Sequence, residues 1–358
     1  MTASKEDQPE LPGIPAAKKK PETAADRIAN ADEAAFQRVL ARIQTLQKLY
    51  AGGNQTGNES QAVEKPSRRE SATARLFVIR AREAPMAAII RRGPSKQVRL
   101  IAWNTESDTF DGGQWLKGRI YERRCDLSPD GRYFIYFAAN HKAPTYSWTA
   151  ISRLPYLTAL AFWPKFDCWE GGGLFEDARN IWLNDELSDA REEMKDLPEG
   201  MNLRGKGFGG EDDPIYNLRL LRDGWTMMQP GKYVHVPGAE RGPIDYSFPY
   251  DPPQIWERAN AAGNRLRMVI HGKGEKSGDW NVVSHEIVTP DGEIVDFGRT
   301  DWADWDRNGD LLYAKDGKLF RLSPGTRGRF DPDSSREIAD FNGDRFQAIP
   351  PSEEAKNW

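Results

Sequence analysis

The chain is short of cysteine and histidine. Cys125, Cys168, His141, His235, His271 and His285 are all it holds in 358 residues. No Cys pair stands at metal-ligand spacing and the histidines share no interval, so neither a zinc-type site nor any other metal or cofactor is expected. Two thiols are too few for a disulfide framework and read as buried thiols of a reducing compartment. Long apolar runs are missing too. Nothing approaches the roughly 18 consecutive apolar residues of a spanning helix, and "MTASKEDQPELPG" lacks the apolar core of a secretion signal. A cytoplasmic location is therefore expected, without membrane contact. Charge of one sign is also missing: the net charge is −4 with both signs mixed, which creates no global field to draw in nucleic acid. There is no phosphate-cradling G-x-x-x-x-G-K-[ST] and no G-x-S-x-G nucleophile elbow. "GKGFGG" (205–210) matches G-x-G-x-x-G, but no apolar strand leads into it and "EDDP" follows, where acids would repel a phosphate.

The chain is rich in aromatics, at 11% with 12 Trp, and in turn residues. Residues 1–23 hold Pro, Lys, Glu and Ala without apolar period and are expected to be disordered. Over 24–51, Ile28, Phe36, Val39, Ile43, Leu46 and Tyr50 recur at helical spacing and predict one amphipathic helix, ended at Gly52 and Gly53. Its stripe packs on the main domain or docks a partner. Residues 52–74 read as a flexible linker. From Arg75 short β-rich runs take over: "RLFVIRA", "AAIIRRG", "VRLIAWN", "RYFIYFA", "LRMVIHG", "DLLYA" and "KLFRL". Turn residues separate them, which predicts an all-β domain over 75–350 with a C-terminal tail at 351–358. "LNDELSDAREEMKDL" is the one later segment that reads as helix, placed as an insertion between strands.

Turn glycines precede strand-like runs at Gly131, Gly172, Gly224, Gly263 and Gly309, spaced about 40 to 50 residues apart, the period of four-stranded propeller blades. "DLSPDGRYFIY" aligns with "DWDRNGDLLY": acid, turn, glycine, apolar run, tyrosine. Asp-Gly and Asn-Gly supply the positive φ of a hairpin turn. The run "YFIYF" is apolar at every position, as suits a strand packed on both faces. "LSPDGRYFIYF" resembles the Ser-Pro-Asp-Gly blade turn of WD-repeat and TolB-like propellers, and "DWDRNGDLLYAKDGKLFRL" is similar to the same element. The likeness departs from the WD pattern in lacking a Gly-His…Trp-Asp pair per blade. It implies a β-propeller of five blades, with six as the alternative if the runs at 75–103 form a blade of their own, and carries over no functional residue. "YSWTAISRLPYLTALAFWPKFDCWEGGGLF" resembles a stretch of an uncharacterised bacterial family, which adds no function.

Asp126 and Asp130 beside the apolar run raise the question of catalytic carboxylates. Some five-bladed propellers are glycoside hydrolases with an acid at the start of a blade strand, and inversion needs a second carboxyl across the sugar. Asp108, Asp111, Asp167, Glu170 and Asp304 are candidate partners. The preferred reading of Asp126 and Asp130 is structural, as turn chemistry. "DWDRNGD" (304–310) places oxygens at alternate positions like a calcium loop, but Lys315 stands where a bidentate Glu belongs, which excludes an EF-hand. A basic cluster (Arg75, Arg80, Arg82, Arg91, Arg92, Lys96, Arg99) reads as a solvated strand face or a charged edge before it reads as a phosphate contact. Residues 112–173 interleave Trp and Tyr with Arg and Lys. Inter-blade packing accounts for most of these aromatics. Trp, Tyr and Arg are also the anchors of interfaces, and a ligand or partner site is expected at Trp115, Arg119, Trp148, Arg153 and Trp169. The expectation is a non-catalytic binding or scaffold propeller taking a protein or peptide on an aromatic and Arg-rich rim. A carbohydrate-active propeller, hydrolase or lectin-like, is the alternative.

Overall fold

The computed structural model of the chain describes residues 73–93, 96–185, 196–205, 207, 212–234, 246–275 and 279–358. The expected tail (1–23), helix (24–51), most of the linker (52–72), His235, most of the loop 205–210 and the middle of the helical segment (186–195) lie outside the described residues. All described residues belong to one compact unit, 59–358.

The described chain is mostly β, and its strands form five sheets in chain order. The first is an antiparallel meander of β1 (Arg75–Arg80), β2 (Met86–Arg92), β3 (Gln97–Asn104) and β4 (Thr109–Lys117). In the second, β5 (Arg119–Ile120) and β6 (Asp126–Leu127) both pair with β7 (Tyr133–Ala139), which β8 (Ser147–Arg153) and β9 (Ala159–Pro164) follow. The third holds β10 (Gly173–Phe175), β11 (Asn180–Leu183) and β12 (Asn202–Gly205), the last parallel to β11. A helix, α1 (Asp213–Arg222), comes next. The fourth sheet runs β13 (Thr226–Gln229), β14 (Tyr246–Ala259), β15 (Arg265–Glu275), β16 (Asn281–Val288) and β17 (Ile294–Arg299). The fifth runs β18 (Trp302–Trp305), β19 (Leu311–Lys315), β20 (Lys318–Leu322) and β21 (Arg336–Asp340).

Each apolar run expected to be a strand is one. β7 is buried at every position, as a strand packed on both faces must be. Gly131 (φ 77°) and Gly309 (φ 87°) supply the left-handed residue of the first hairpin turn in sheets two and five. The turn glycines do not map one to a sheet. Gly224 precedes β13 and Gly263 joins β14 to β15, so two of them serve the fourth sheet. Residues 75–117, ahead of all of them, form a sheet of their own.

Four apolar cores join the sheets. Ile79 and Leu100 pack with Phe134 and Ala150, joining sheets one and two. Ile135 and Ile151 pack with Phe175 and Ile181, joining two and three. Trp256 and Leu266 pack with Trp305 and Leu311, joining four and five. Trp302 and Leu312 pack with Leu76 and Trp103, joining five back to one. Between sheets three and four stands α1. Tyr216 and Leu220 enter the fourth sheet's core, while Arg222 donates to the Phe175 carbonyl of β10 at 2.9 Å. The sequence reading missed this helix. Its signals were Pro214 in the first turn, pre-set for helical φ, and Arg219 and Arg222 in the last, where the helix dipole favours cations.

The C-terminal segment is tied down. Trp358 lies 5.2 Å from the Tyr133 ring and donates its indole N–H to the Asp196 carbonyl at 2.8 Å. Ala355 is fully buried. Among the described residues no helix is long and apolar enough to cross a membrane.

Candidate functional site

The five residues expected to form a site are spread over two sheets and a loop. Trp115 stands on β4, with the Arg91 and Arg99 guanidiniums each 5.5 Å from its ring. Arg119, on β5, lies over the Tyr121 ring at 4.4 Å. Trp148 and Arg153 sit at opposite ends of β8. Trp148 packs on the core between sheets one and two and neighbours Phe162 at 6.2 Å. Arg153 ties down the C-terminus, donating to Glu354 Oε1 and the Asn357 carbonyl, each at 3.1 Å. Trp169, in the loop before β10, is 62% exposed. Trp148 and Arg153 share a strand; none of the five is linked to another by a ring or hydrogen-bond contact among the described residues.

All the acidic candidates but Asp111 are held by donors. Asp130 accepts from Ser128 Oγ (2.6 Å) and from the Arg132 amide (3.1 Å), which is turn chemistry. Against the cost of burial, these bonds hold its carboxyl below the ordinary range. Asp126 has a different structural role. It is fully buried, accepts the Phe175 amide at 2.8 Å and takes both terminal nitrogens of Arg222, tying β6 to β10 and α1. Asp304 takes Arg80 (3.1 Å) and Arg258 (2.6 Å), Glu170 takes Lys165 (3.1 Å), and Asp167 caps the Trp169 amide (3.0 Å). Asp111 is exposed on β4.

The calcium-like loop has an internal cation. Arg321 reaches Asp306, Asp310 (3.0 Å), Asp108 (2.8 Å) and the Thr105 carbonyl (2.6 Å). Among the described residues no His, Cys, Asp or Glu group could hold a metal ion. Replacing Arg321 with alanine strands the carboxylates of Asp306 and Asp310, while Asp108 keeps Arg336 at 2.7 Å, and is expected to cost about 3 kcal/mol in urea unfolding. A loss below about 1 kcal/mol would show that water screens the cluster.

Side chains from several sheets converge elsewhere, on two cavities whose walls share Phe77 and Arg123, with Val283 and Asp301. The larger, about 480 Å³, is lined by seven arginines and four aspartates, without lysine or glutamate. Arg82 and Arg222 donate to one acceptor, the Phe175 carbonyl, at 3.1 and 2.9 Å. Arg219 lies one turn before Arg222 on α1. The two carboxylates at this triad, Asp126 and Asp223, are both engaged by Arg222. Against the cost of burial, they hold its guanidinium above its ordinary value.

Arg82 and Arg219 have no carboxylate within ion-pair distance among the described residues. Arg82 donates only to backbone carbonyls, and its Nε is buried without a partner. Arg219 is 4% exposed and donates to the Cys125 carbonyl. Burial, with Arg222 alongside, holds both below the ordinary arginine value. In the same wall His285 is buried, its Nδ1 2.6 Å from Thr300 Oγ1, and burial, with Arg123 nearby, pushes it down to about 3. The cavity therefore holds a surplus of desolvated positive charge, the condition that favours a bound anion.

The smaller cavity, about 240 Å³, has mixed charge: Arg75, Arg92, Arg123, Arg299 and Lys315 face Glu122, Asp279, Asp301 and Asp316. Arg75 meets Asp279 at 2.8 Å and Arg92 meets Glu122 at 2.7 Å. Asp301 accepts the Leu76 amide at 3.0 Å, and burial pushes its carboxyl up to about 7. Burial raises Asp279 as well.

Sequence reading pointed away from both cavities. It took Arg75–Arg99 for a solvated strand face or a charged edge, yet Arg91 is 1% exposed and donates to the Phe341 carbonyl, while Arg75, Arg80, Arg82 and Arg92 line cavities. The available signal was arginine inside apolar runs, as in "RLFVIRA" and "LRLLRDG". A cation there needs a buried acceptor or a ligand. No protein-family model matches this chain, and no curated protein matches it.

Proposed function

We propose that the chain is a cytoplasmic, five-bladed β-propeller acting as a non-catalytic binding module, which takes an acidic segment of a protein or peptide partner into its arginine-lined cavity. Five sheets in chain order, with cores joining one to two, two to three, four to five and five to one, support the ring. The free thiols Cys125 and Cys168 suit a reducing compartment. The observation that carries the function is the pair Arg82 and Arg219, desolvated cations whose hydrogen bonds go to backbone carbonyls, with Arg219 also stacked on the Phe77 and Tyr216 rings. An incoming carboxylate gives them charge-assisted bonds without displacing an existing ion pair. The lining carboxylates Asp223 and Asp304 are engaged by arginines, which favours recognition over acid–base chemistry.

Fluorescence anisotropy with labelled peptide libraries tests this reading, one library rich in Asp and Glu and one in Lys. Acidic peptides are expected to bind, and R82Q and R219Q each to weaken them about tenfold, the equivalent of about 1.4 kcal/mol. Binding should also weaken as salt is raised. Equal binding of both libraries, or no change in either variant, would overturn the reading.

A further inference from the structure

We infer that the smaller cavity is a second binding site, for the end of a neutral oligosaccharide. The inference stands apart from the peptide reading, since it uses another cavity and does not use Arg82 or Arg219, although the two walls meet at Phe77, Arg123, Val283 and Asp301. Charge balance is the first argument. Of the five cations in the wall, Arg75 and Arg92 pair with acids of the same wall, and Arg123 and Arg299 with Asp213 and Glu275 outside it, so little unpaired charge of either sign is left to favour an ion over a neutral ligand. The second is unmet hydrogen-bond capacity. Asn281 Oδ1 is buried in this wall without a partner, and the Asp301 carboxyl accepts one hydrogen bond among the described residues, from the Leu76 amide. Such a wall calls for a ligand that donates and accepts from the same atoms, which hydroxyl groups do.

The third argument is the mouth. Trp280 lines the cavity and is 45% exposed. Phe248 meets it at 6.1 Å and Tyr233 meets Phe248 at 5.6 Å, each of these two also about as exposed. Three neighbouring aromatic rings left open to water form a ledge beside a hydrogen-bonding pocket. Sugar rings stack on such apolar faces while their hydroxyls bond the pocket. Asp279 and Asp301 would accept from hydroxyls of the terminal residue, and Trp280 would stack on its face or on the next ring.

The test is calorimetry of the full chain against glucose, galactose, xylose and arabinose, their linear neutral tri- and tetrasaccharides, and oligouronates as the charged control. At least one neutral oligosaccharide is expected to bind more tightly than its monosaccharide. W280A should weaken it about tenfold, W280F should retain most of the affinity, and D279N should weaken it severalfold. Trp280 is exposed enough for thermal unfolding of W280A to match wild type, and W280F keeps the test valid if it does not. R82Q should leave sugar binding unchanged. Absence of binding by every neutral sugar, binding of oligouronates alone, or binding insensitive to W280A would each overturn the inference. None of these outcomes bears on the acidic-peptide result.

Discussion

Replacing Asp126 with alanine is expected to cost about 3–5 kcal/mol of folding stability, the loss that follows when one partner of a buried ion pair is removed. The side chain is fully buried and serves three donors: the Phe175 amide and both terminal nitrogens of Arg222. Its removal orphans a buried amide, which alone costs about 1–3 kcal/mol. It also leaves Asp223 as the one carboxylate engaging Arg222 among the described residues, so the like-charge repulsion that already lowers Arg82 and Arg219 would grow. D126N keeps an acceptor for the Phe175 amide and should lose less. The double variant D126L/R222M removes both charges and should recover part of the loss. Urea unfolding measures all three. A D126A loss under about 1 kcal/mol would mean that water reaches the pair and that the tie between β6, β10 and α1 is dispensable.

The second large effect is on the pH profile. Asp301 is pushed up to about 7 by burial, helped by Asp279 and opposed by the Leu76 amide, Arg92 and Arg75. An ordinary carboxyl in the unfolded chain titrates near pH 4. Between about pH 4 and 7 the folded chain therefore keeps a proton that the unfolded chain has released. The contribution of Asp301 is to lower stability as pH rises through that window, levelling off above it. His285 acts with the opposite sign. Burial and Arg123 push it down to about 3, while an unfolded histidine titrates near 6.5. Between about pH 3 and 6.5 the unfolded chain holds the extra proton, so stability falls as pH drops.

The two slopes oppose each other from about pH 4 to 6.5. D301N keeps an acceptor for the Leu76 amide and removes the titration. Relative to wild type it is expected to gain stability from pH 4 to pH 8 by up to about 4 kcal/mol, three pH units at about 1.4 kcal/mol each. It should also expose the acid-side loss due to His285. Urea midpoints at pH 4, 6 and 8 check this. Parallel wild-type and D301N profiles would show that Asp301 titrates as an ordinary solvated carboxyl.

The strands were readable because each is a short local object. "YFIYF" is apolar at every position, and whether a run becomes a strand depends on the run and the turn beside it. The first hairpins of sheets two and five were readable for the same reason, since Asp130-Gly131 and Asn308-Gly309 carry their positive φ locally. Helix α1 escaped because "DPIYNLRLLR" is short and its mean pattern is polar. Its helicity rests on packing Tyr216 and Leu220 against the fourth sheet's core, and tertiary packing outweighs local pattern in short helices. Which sheet each turn glycine serves escaped, because a turn glycine looks the same ahead of a sheet, as Gly224 does, and inside one, as Gly263 does.

By itself, the sequence determined that this is a β-rich chain of short hairpins with aromatic cores, because strand and turn preferences act over a few residues. Only the tertiary structure decided which charges matter. Arg82 and Arg222 come from segments some 140 residues apart and meet at the Phe175 carbonyl, with Arg219 beside them on the Cys125 carbonyl, while Asp279 and Asp301 meet Arg75 and the Leu76 amide across the chain's length. A charge is set by what surrounds it once water is removed, and that neighbourhood exists only after the sheets have packed.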